Sequence, residues 1–199
     1  MVLGIFILLH LANHALIFAG AQVHINAMNT LRGIYQHPVM EWPLLFFCGF
    51  QIISGLVLVY IRRGQRRSML DRAQALSGVY MAFFLSNHLV AVLYGRIALE
   101  LDTNLYFGIA GIHSSPYFLF FIPYYFLAVL AIFIHISAAV HWLLRNRFER
   151  VIRNRISMTM IAAGGIFATL LLLAFAGVNQ DISIPEEYLA PYTQAPTQT

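Results

Sequence analysis

The sequence predicts an all-α fold: a bundle of five transmembrane helices that forms a single integral membrane domain over residues 1–178. Three observations lead to this prediction. The 199-residue chain is 60% hydrophobic and only 10% charged, whereas a soluble domain carries about 25% charged residues. Five apolar runs are long enough to cross a hydrocarbon core of about 30 Å at about 1.5 Å per residue. The basic residues are concentrated between these runs. Most of the chain is therefore expected to contact membrane lipid.

The five predicted helices cover approximately residues 2–20, 41–61, 74–96, 116–144 and 156–178. Polar loops are expected at 21–40 and 97–115, and a polar C-terminal tail at 179–199. Trp42 and Tyr60 lie at the two ends of the second helix, as aromatic residues do at membrane interfaces. The third helix has no acidic or basic residue between Gln74 and Arg96. The fifth helix has no ionisable residue, and we expect it to lie at the periphery of the other four.

All twelve basic residues are arginine, and ten of them lie in two short loops. The first loop holds Arg62, Arg63, Arg66, Arg67 and Arg72, and the second holds Arg145, Arg147, Arg150, Arg153 and Arg155. Because cytoplasmic loops are enriched in basic residues, both loops are assigned to the cytoplasmic side, with the N-terminus in the cytoplasm and the C-terminus outside. Arginines placed in this way do not indicate nucleic-acid binding. No signal peptide is expected, and the single cysteine, Cys48, excludes a disulfide framework.

Histidines inside the apolar runs are the candidate functional residues. His10 and His14 lie four residues apart on the first helix, so both project from one face, and His88 lies inside the third helix. Both helices run outward, which brings His14 and His88 to a similar depth and places His10 about one turn deeper. A weak internal repeat supports this pairing. Each helix has an Asn-His pair whose histidine follows a glycine by ten residues, Gly4 before His14 and Gly78 before His88.

Two imidazoles from facing helices can fill both axial positions of a low-spin haem b. An isolated histidine inside a membrane is more often a hydrogen-bond partner between helices, but two at matched depth favour a shared ligand. We therefore expect one haem whose iron is held by His88 with either His10 or His14, and the residues leave that choice open. Another metal is disfavoured, because no carboxylate lies beside these histidines.

Other polar residues give weaker indications. His135 lies in the inner half of the fourth helix, and it can be either a ligand or a structural residue. Gln51 lies at the centre of the second helix. Glu41 opens the second helix on the outer side, where a carboxylate can accept a proton in quinone chemistry; the alternative is an ordinary interfacial glutamate. The remaining histidines and three tyrosines are expected to be loop or interface residues: His24, His37, His113, His141, Tyr94, Tyr106 and Tyr117.

Several stretches resemble the single-chain, five-helix cytochrome b membrane anchors of succinate dehydrogenases and fumarate reductases. They are GIFILLHL around His10, RAQALSGVYMAFFLSNH ending at His88, SSP at residues 114–116 and IFIHIS around His135. The resemblance covers the first four predicted helices, and the fifth is similar only in hydropathy. HLANH at 10–14 and YQHPVME at 35–41 are also similar to small haem-associated membrane proteins of mitochondria and bacteria.

The resemblance implies two possible haem sites. Helices one and three would hold an outer haem through His88 with His10, which collinear similarity favours, or with His14, which depth and the internal repeat favour. Helices two and four would hold an inner haem through Gln51 and His135. Gln51 stands where the family has histidine, so one haem b is expected and the second is in doubt. The implied location is a bacterial inner membrane or the mitochondrial inner membrane.

The implied function is electron transfer between a soluble flavoprotein and iron–sulfur partner, docked on the cytoplasmic side, and membrane quinone. The chain has no flavin, nucleotide or iron–sulfur motif, so any dehydrogenase chemistry would belong to those partners. The alternative is a non-enzymatic haem- or lipid-associated accessory subunit of a larger complex. A transporter ranks third, because the helices carry no buried charge and are unbroken.

Overall fold

A computed structural model of the chain describes residues 2–65, 68–178 and 180–193. All regular structure in these residues is helical, with no strand among them. The helices are α1 (Val2–Ala15), α2 (Ala21–Tyr35), α3 (Pro38–Ile61), α4 (Met69–Ile97), α5 (Leu105–Ile109), α6 (Phe118–Leu143), α7 (Arg150–Phe175) and α8 (Glu186–Thr193). Short 3₁₀ turns lie at Leu16–Ala19, Arg63–Gln65 and Leu144–Asn146. Arg66, Arg67 and the last six residues of the predicted tail lie outside the described part.

Four helices are long and apolar enough to cross a membrane. They are α3, α4, α7 and the continuous stretch Phe118–Asn146 that contains α6. The apolar segment Leu3–Ala19 is shorter. The all-helical class and the membrane character predicted from composition are therefore confirmed.

The prediction of a polar loop at 21–40 is wrong, because this segment contains the helix α2. The first predicted helix also ends early, at Ala15, and a 3₁₀ turn leads to Gly20. The φ angle of Gly20 is 128°, a value that favours glycine, and a new helix starts directly after it. The exposed side of α2 carries the polar residues Gln22 and Asn26, whose side chains are hydrogen-bonded at 2.8 Å. The other side buries His24.

The predicted loop 97–115 and the predicted tail also contain helices, α5 and α8. Within 97–115, the side chain of Asn104 accepts hydrogen bonds from the backbone at the start of α5. In the tail, the Tyr188 hydroxyl of α8 bonds to the Asn104 amide nitrogen at 2.9 Å. The Gln180 side chain accepts a bond from Ala21 N at 3.0 Å and donates one to Ile17 O at 2.9 Å. The C-terminal segment therefore holds the break between α1 and α2.

The chain divides into two compact units. The first comprises residues 1–48, 88–123 and 171–199, and the second comprises residues 49–87 and 124–170. The buried side chains of the first unit are mainly large and apolar: Ile17, Ile25, Leu105, Ile109, Phe175 and Tyr188. Those of the second unit are mainly small: Ser77, Ala128, Ala131, Ser137, Ala138, Ser157 and Ala168. Small residues let helix backbones approach closely in membranes.

The burial of α7 is larger than expected for a peripheral fifth helix. Of the four spans, α7 has the largest buried share, 28% of its most apolar stretch. Ala168 and Ala174 are fully buried. The absence of ionisable residues from this helix therefore reflects packing against protein as well as contact with lipid.

Candidate functional site

Four histidines meet within the first unit: His10 and His14 of α1, His24 of α2 and His88 of α4. We call them the histidine cluster. The ring centroids of His10 and His14 are 4.4 Å apart, those of His14 and His24 are 5.3 Å apart, and those of His10 and His88 are 6.0 Å apart. The structure thus brings together the three histidines predicted for the outer haem and adds a fourth that was assigned to a loop.

A chain of hydrogen bonds links three of these rings. The Nε2 atoms of His10 and His14 are 3.1 Å apart, and Nδ1 of His14 lies 3.1 Å from Nε2 of His24. The side-chain nitrogen of Asn13 also lies 3.3 Å from Nε2 of His24. Both ring nitrogens of His14 are therefore hydrogen-bonded, and His14 is the central residue of this series of hydrogen bonds.

Two polar atoms at the buried end of this series of hydrogen bonds lack partners. Asn13 and His24 are 4% and 1% exposed. Asn13 Oδ1 and His24 Nδ1 have no hydrogen-bond partner in the described part of the chain. The ring of Phe175 meets the His14 and His24 rings edge-on, at 5.5 and 6.5 Å. Since nearly all buried polar atoms in proteins are hydrogen-bonded, a further polar partner is expected at this end of the histidine cluster.

One ring separation in the cluster matches that of two axial haem ligands. Two imidazoles on one iron, each with a metal–nitrogen bond of about 2 Å, have ring centroids about 6 Å apart. His10 and His88 have this separation. An apolar cavity of about 200 Å³ adjoins His10 on the side of α2 and α3, and its polar lining residues are His10, Asn13 and Tyr35. The imidazole donors and the separation of the His10 and His88 rings are compatible with axial ligation of a haem.

The sequence analysis missed His24 because it read the polar residues of 21–40 as a loop. A usable signal was present. His24, Met28, Leu31 and Tyr35 recur at spacings of four, three and four residues, which is the period of one helix face. Read as a helix after Gly20, this pattern would have placed His24 on the same face as the apolar residues.

Acid is expected to destabilise the protein through His24, which lies outside the four spans. Burial lowers the pKa of His24 from 6.5 to about 4. The stabilisation tied to neutral His24 is fully present above pH 6.5 and is lost as the pH falls towards 4, by up to about 3 kcal/mol. The measurement is unfolding in mixed detergent–SDS micelles at several pH values. His24→Gln should show a smaller loss between pH 7 and pH 4 than the wild type, and equal losses would contradict the assignment.

The residues predicted for an inner haem lie in the second unit. Nδ1 of His135 is 3.4 Å from the Ser77 hydroxyl oxygen. A Cβ atom on Gly78 would lie 3.5 Å from Cε1 of His135, at ordinary van der Waals distance, so the imidazole lies against α4 at this glycine. The side chain of Gln51 is exposed. The structure thus places His135 in a helix–helix contact.

Glu41, predicted to accept protons, forms an ion pair with Arg96 in the first unit. Arg96 donates from a guanidinium nitrogen to a carboxylate oxygen, and the two side chains are 32% and 23% exposed. This partner was not predicted from the sequence, because the two residues are 55 positions apart. Met40, which precedes Glu41, and Pro43, two residues after it, line the cavity beside His10. The carboxylate is therefore neither isolated nor remote from the histidine cluster.

The other polar residues assigned to loops or interfaces have structural contacts. His113 donates from Nε2 to the carbonyl of Phe175 at 2.8 Å, and His141 is bonded to Ser157 at 3.3 Å. His37 is exposed and bonds to the backbone of Val39. The rings of Tyr106 and Tyr117 pack against tyrosines of α8, and Tyr94 is exposed.

Comparison with known proteins gives no relative for this chain: no family model, curated protein or solved structure matches it.

Proposed function

We propose that the chain is a b-type cytochrome-like membrane anchor that binds one haem b in the histidine cluster, through His88 with His10 or His14. The observation that carries this proposal is the 6.0 Å separation of the His10 and His88 rings on two apolar helices. When bound, the haem would supply one-electron transfer between a soluble flavoprotein and iron–sulfur partner on the cytoplasmic side and membrane quinone. The membrane would be a bacterial inner membrane or the mitochondrial inner membrane.

The proposed topology has five spans, with the N-terminus cytoplasmic and the C-terminus outside. The 14 residues of α1 and the 4 residues of the following 3₁₀ turn give a length of about 29 Å, close to the thickness of a hydrocarbon core. Described arginines lie beyond the end of α3, near the start of α4, beyond the end of α6 and in the first turns of α7. The positive-inside rule assigns all four of these helix ends to the cytoplasmic side.

The quinone part of the proposal depends on Glu41. Its position next to residues that line the cavity beside His10 supports a role in accepting a proton from a quinol. Glu41→Gln should retain the haem but slow its reduction by quinol about 100-fold, the range in which a lost acid–base group acts. The measurement is stopped-flow absorbance at the haem band. Asp102→Asn is the matched control, because Asp102 pairs with Arg32 in the same unit. Equal effects of the two substitutions would contradict a role specific to Glu41.

One observation favours a second candidate, a non-enzymatic haem- or lipid-associated accessory subunit. The exposed side chain of Gln51 and the contact of His135 with α4 give no support to a second haem on the inner side. A single outer haem would leave a longer path for electrons from a cytoplasmic partner. An accessory subunit needs no such path.

The test is a difference spectrum of the purified chain. The dithionite-reduced minus oxidised spectrum should show the sharp α-band of a low-spin b-type haem, and a quinol should produce the same band. A haem band with dithionite alone would favour the accessory subunit. The lack of any haem band after reconstitution with haemin would overturn the proposal.

A further inference from the structure

We propose that residues 142–155, which lie at the junction of α6 and α7, form a binding site for the phosphate groups of anionic phospholipids. We call these residues the arginine segment. Its basic residues are Arg145, Arg147, Arg150, Arg153 and Arg155. The inference goes beyond the proposed function, because it depends on neither haem nor quinone.

The arginine segment has a large excess of positive charge. Glu149 is its only acidic residue. The two ion pairs in the described part of the chain belong to Arg32 and Arg96, and none of the arginines of the segment takes part in them. Four of these arginines are exposed: Arg145, Arg147, Arg150 and Arg155. Their guanidinium groups are therefore accessible to an anion from outside the chain.

Large apolar side chains alternate with these arginines and are also exposed. Leu143, Phe148, Val151 and Ile152 are each 42–67% exposed. The segment joins two helices that are long and apolar enough to cross a membrane. At such a junction, apolar side chains reach the acyl chains while guanidinium groups lie among the headgroups. The alternation thus favours a lipid phosphate over a phosphate dissolved in water.

One arginine of the segment is held beside an aromatic ring of the kind found at membrane interfaces. The guanidinium carbon of Arg145 lies 4.0 Å from the centroid of the Trp142 ring, over its face. Tryptophan is enriched at the depth of the headgroups. Stacking uses the face of the guanidinium plane, so the N–H groups, which lie in that plane, can still donate to phosphate oxygens. Arg145 is therefore oriented for a phosphate at headgroup depth.

The loop between α3 and α4 has the same arrangement. The guanidinium carbon of Arg63 lies 4.0 Å from the centroid of the Tyr60 ring. Tyr60 is exposed, and so are Ile61 and Met69, at the two helix ends that this loop joins. Both loops belong to the second unit. An arginine stacked on an interfacial aromatic ring therefore occurs at each loop, as expected if both loops meet the same layer of phosphates.

Tryptophan fluorescence can test the site, because the chain has two tryptophans, Trp42 and Trp142. In the full chain with Trp42→Phe, the remaining tryptophan lies in the arginine segment. Lipids with brominated acyl chains quench a tryptophan that they contact. In phosphatidylcholine bilayers, brominated phosphatidylglycerol should bind beside Trp142 about 5-fold more tightly than brominated phosphatidylcholine, since one basic residue near an anionic lipid contributes about this factor.

The complementary variant Trp142→Phe is the matched control. It leaves only Trp42, which lies next to Glu41 of the Glu41–Arg96 ion pair, so the two lipids should bind there within about twofold of each other. In the Trp42→Phe chain, replacement of Arg145, Arg147 and Arg150 by glutamine should bring the two lipids to the same twofold range. Salt at about 1 M, where the Debye length is about 3 Å, should do so without any substitution at these arginines.

Four results would overturn the inference. Equal quenching by the two lipids beside Trp142 would show that the arginines bind no lipid phosphate, as expected if they dock only a soluble protein. An equal preference at Trp42 and Trp142 would show that the arginine segment is not a distinct site. A preference that survives both the glutamine substitutions and high salt would not arise from the arginines. Loss of the preference in millimolar inorganic phosphate would show that the segment binds phosphate rather than lipid.

Discussion

His88→Ala is expected to abolish haem binding. His88 is the only member of the histidine cluster contributed by α4, so its removal leaves one side of the proposed haem without a ligand. The other three histidines of the cluster lie on α1 and α2. The ring of one of them, His10, is 6.0 Å from the ring of His88. An alanine cannot replace an axial imidazole, and the loss of one of two axial ligands removes low-spin bis-histidine coordination.

The measurement is the haem content of the purified variant and its reduced absorption spectrum. His135→Ala is the matched control, since it also removes a histidine from an apolar helix but lies in the second unit against Ser77 and Gly78. We expect His135→Ala to keep its full haem content. We expect His88→Ala to contain no haem with a bis-histidine spectrum. A variant of His88 with the wild-type spectrum would place the ligand elsewhere.

Gly164→Ala is expected to destabilise the second unit by about 2 kcal/mol, the typical cost of overpacking. A Cβ atom on Gly164 would overlap the side chain of Phe133, including its own Cβ atom, which cannot be moved by a rotamer change. The two helices, α6 and α7, would have to separate at this point. The loss of close packing matters in a membrane, where no hydrophobic effect drives helices together.

The neighbouring glycine provides the control. A Cβ atom on Gly165 would meet no other atom within 4 Å, so Gly165→Ala should be close to neutral. Unfolding in mixed detergent–SDS micelles measures the difference between the two variants. Equal destabilisation of both would mean that the flexibility of glycine, rather than the contact with Phe133, accounts for the effect.

The membrane helices could be predicted from the sequence because each is a long apolar run, and length and polarity suffice to recognise one. Their ends differ by a few residues, as for α4, which begins at Met69 rather than at residue 74. The helix α2 could not be recognised by the same criterion. It is amphipathic, and its polar side resembles a loop. The helix α8 and the contacts of Gln180 depend on partners far away in the chain, which polarity alone does not reveal.

The candidate site was partly predictable for the same reason. His10, His14 and His88 lie inside the first and third apolar runs, so a meeting of these histidines could be expected. The ring that lies 6.0 Å from His88 is that of His10, the histidine expected to lie one turn deeper. His24 joins them only because Gly20 turns the chain and α2 returns beside α1. The Glu41–Arg96 pair likewise joins residues of α3 and α4 that are far apart in the sequence. Residues brought together by tertiary packing rather than by depth were therefore the ones missed.

The most direct test of the central claim is the haem-to-protein ratio of the purified wild-type chain, measured as the pyridine haemochrome. The account predicts one b-type haem per chain, held in the histidine cluster. A ratio of two would require a second site that the helix contact of His135 and the exposure of Gln51 do not support. A ratio of zero, in a chain that is folded and reconstituted with haemin, would contradict the claim that the cluster is a haem site.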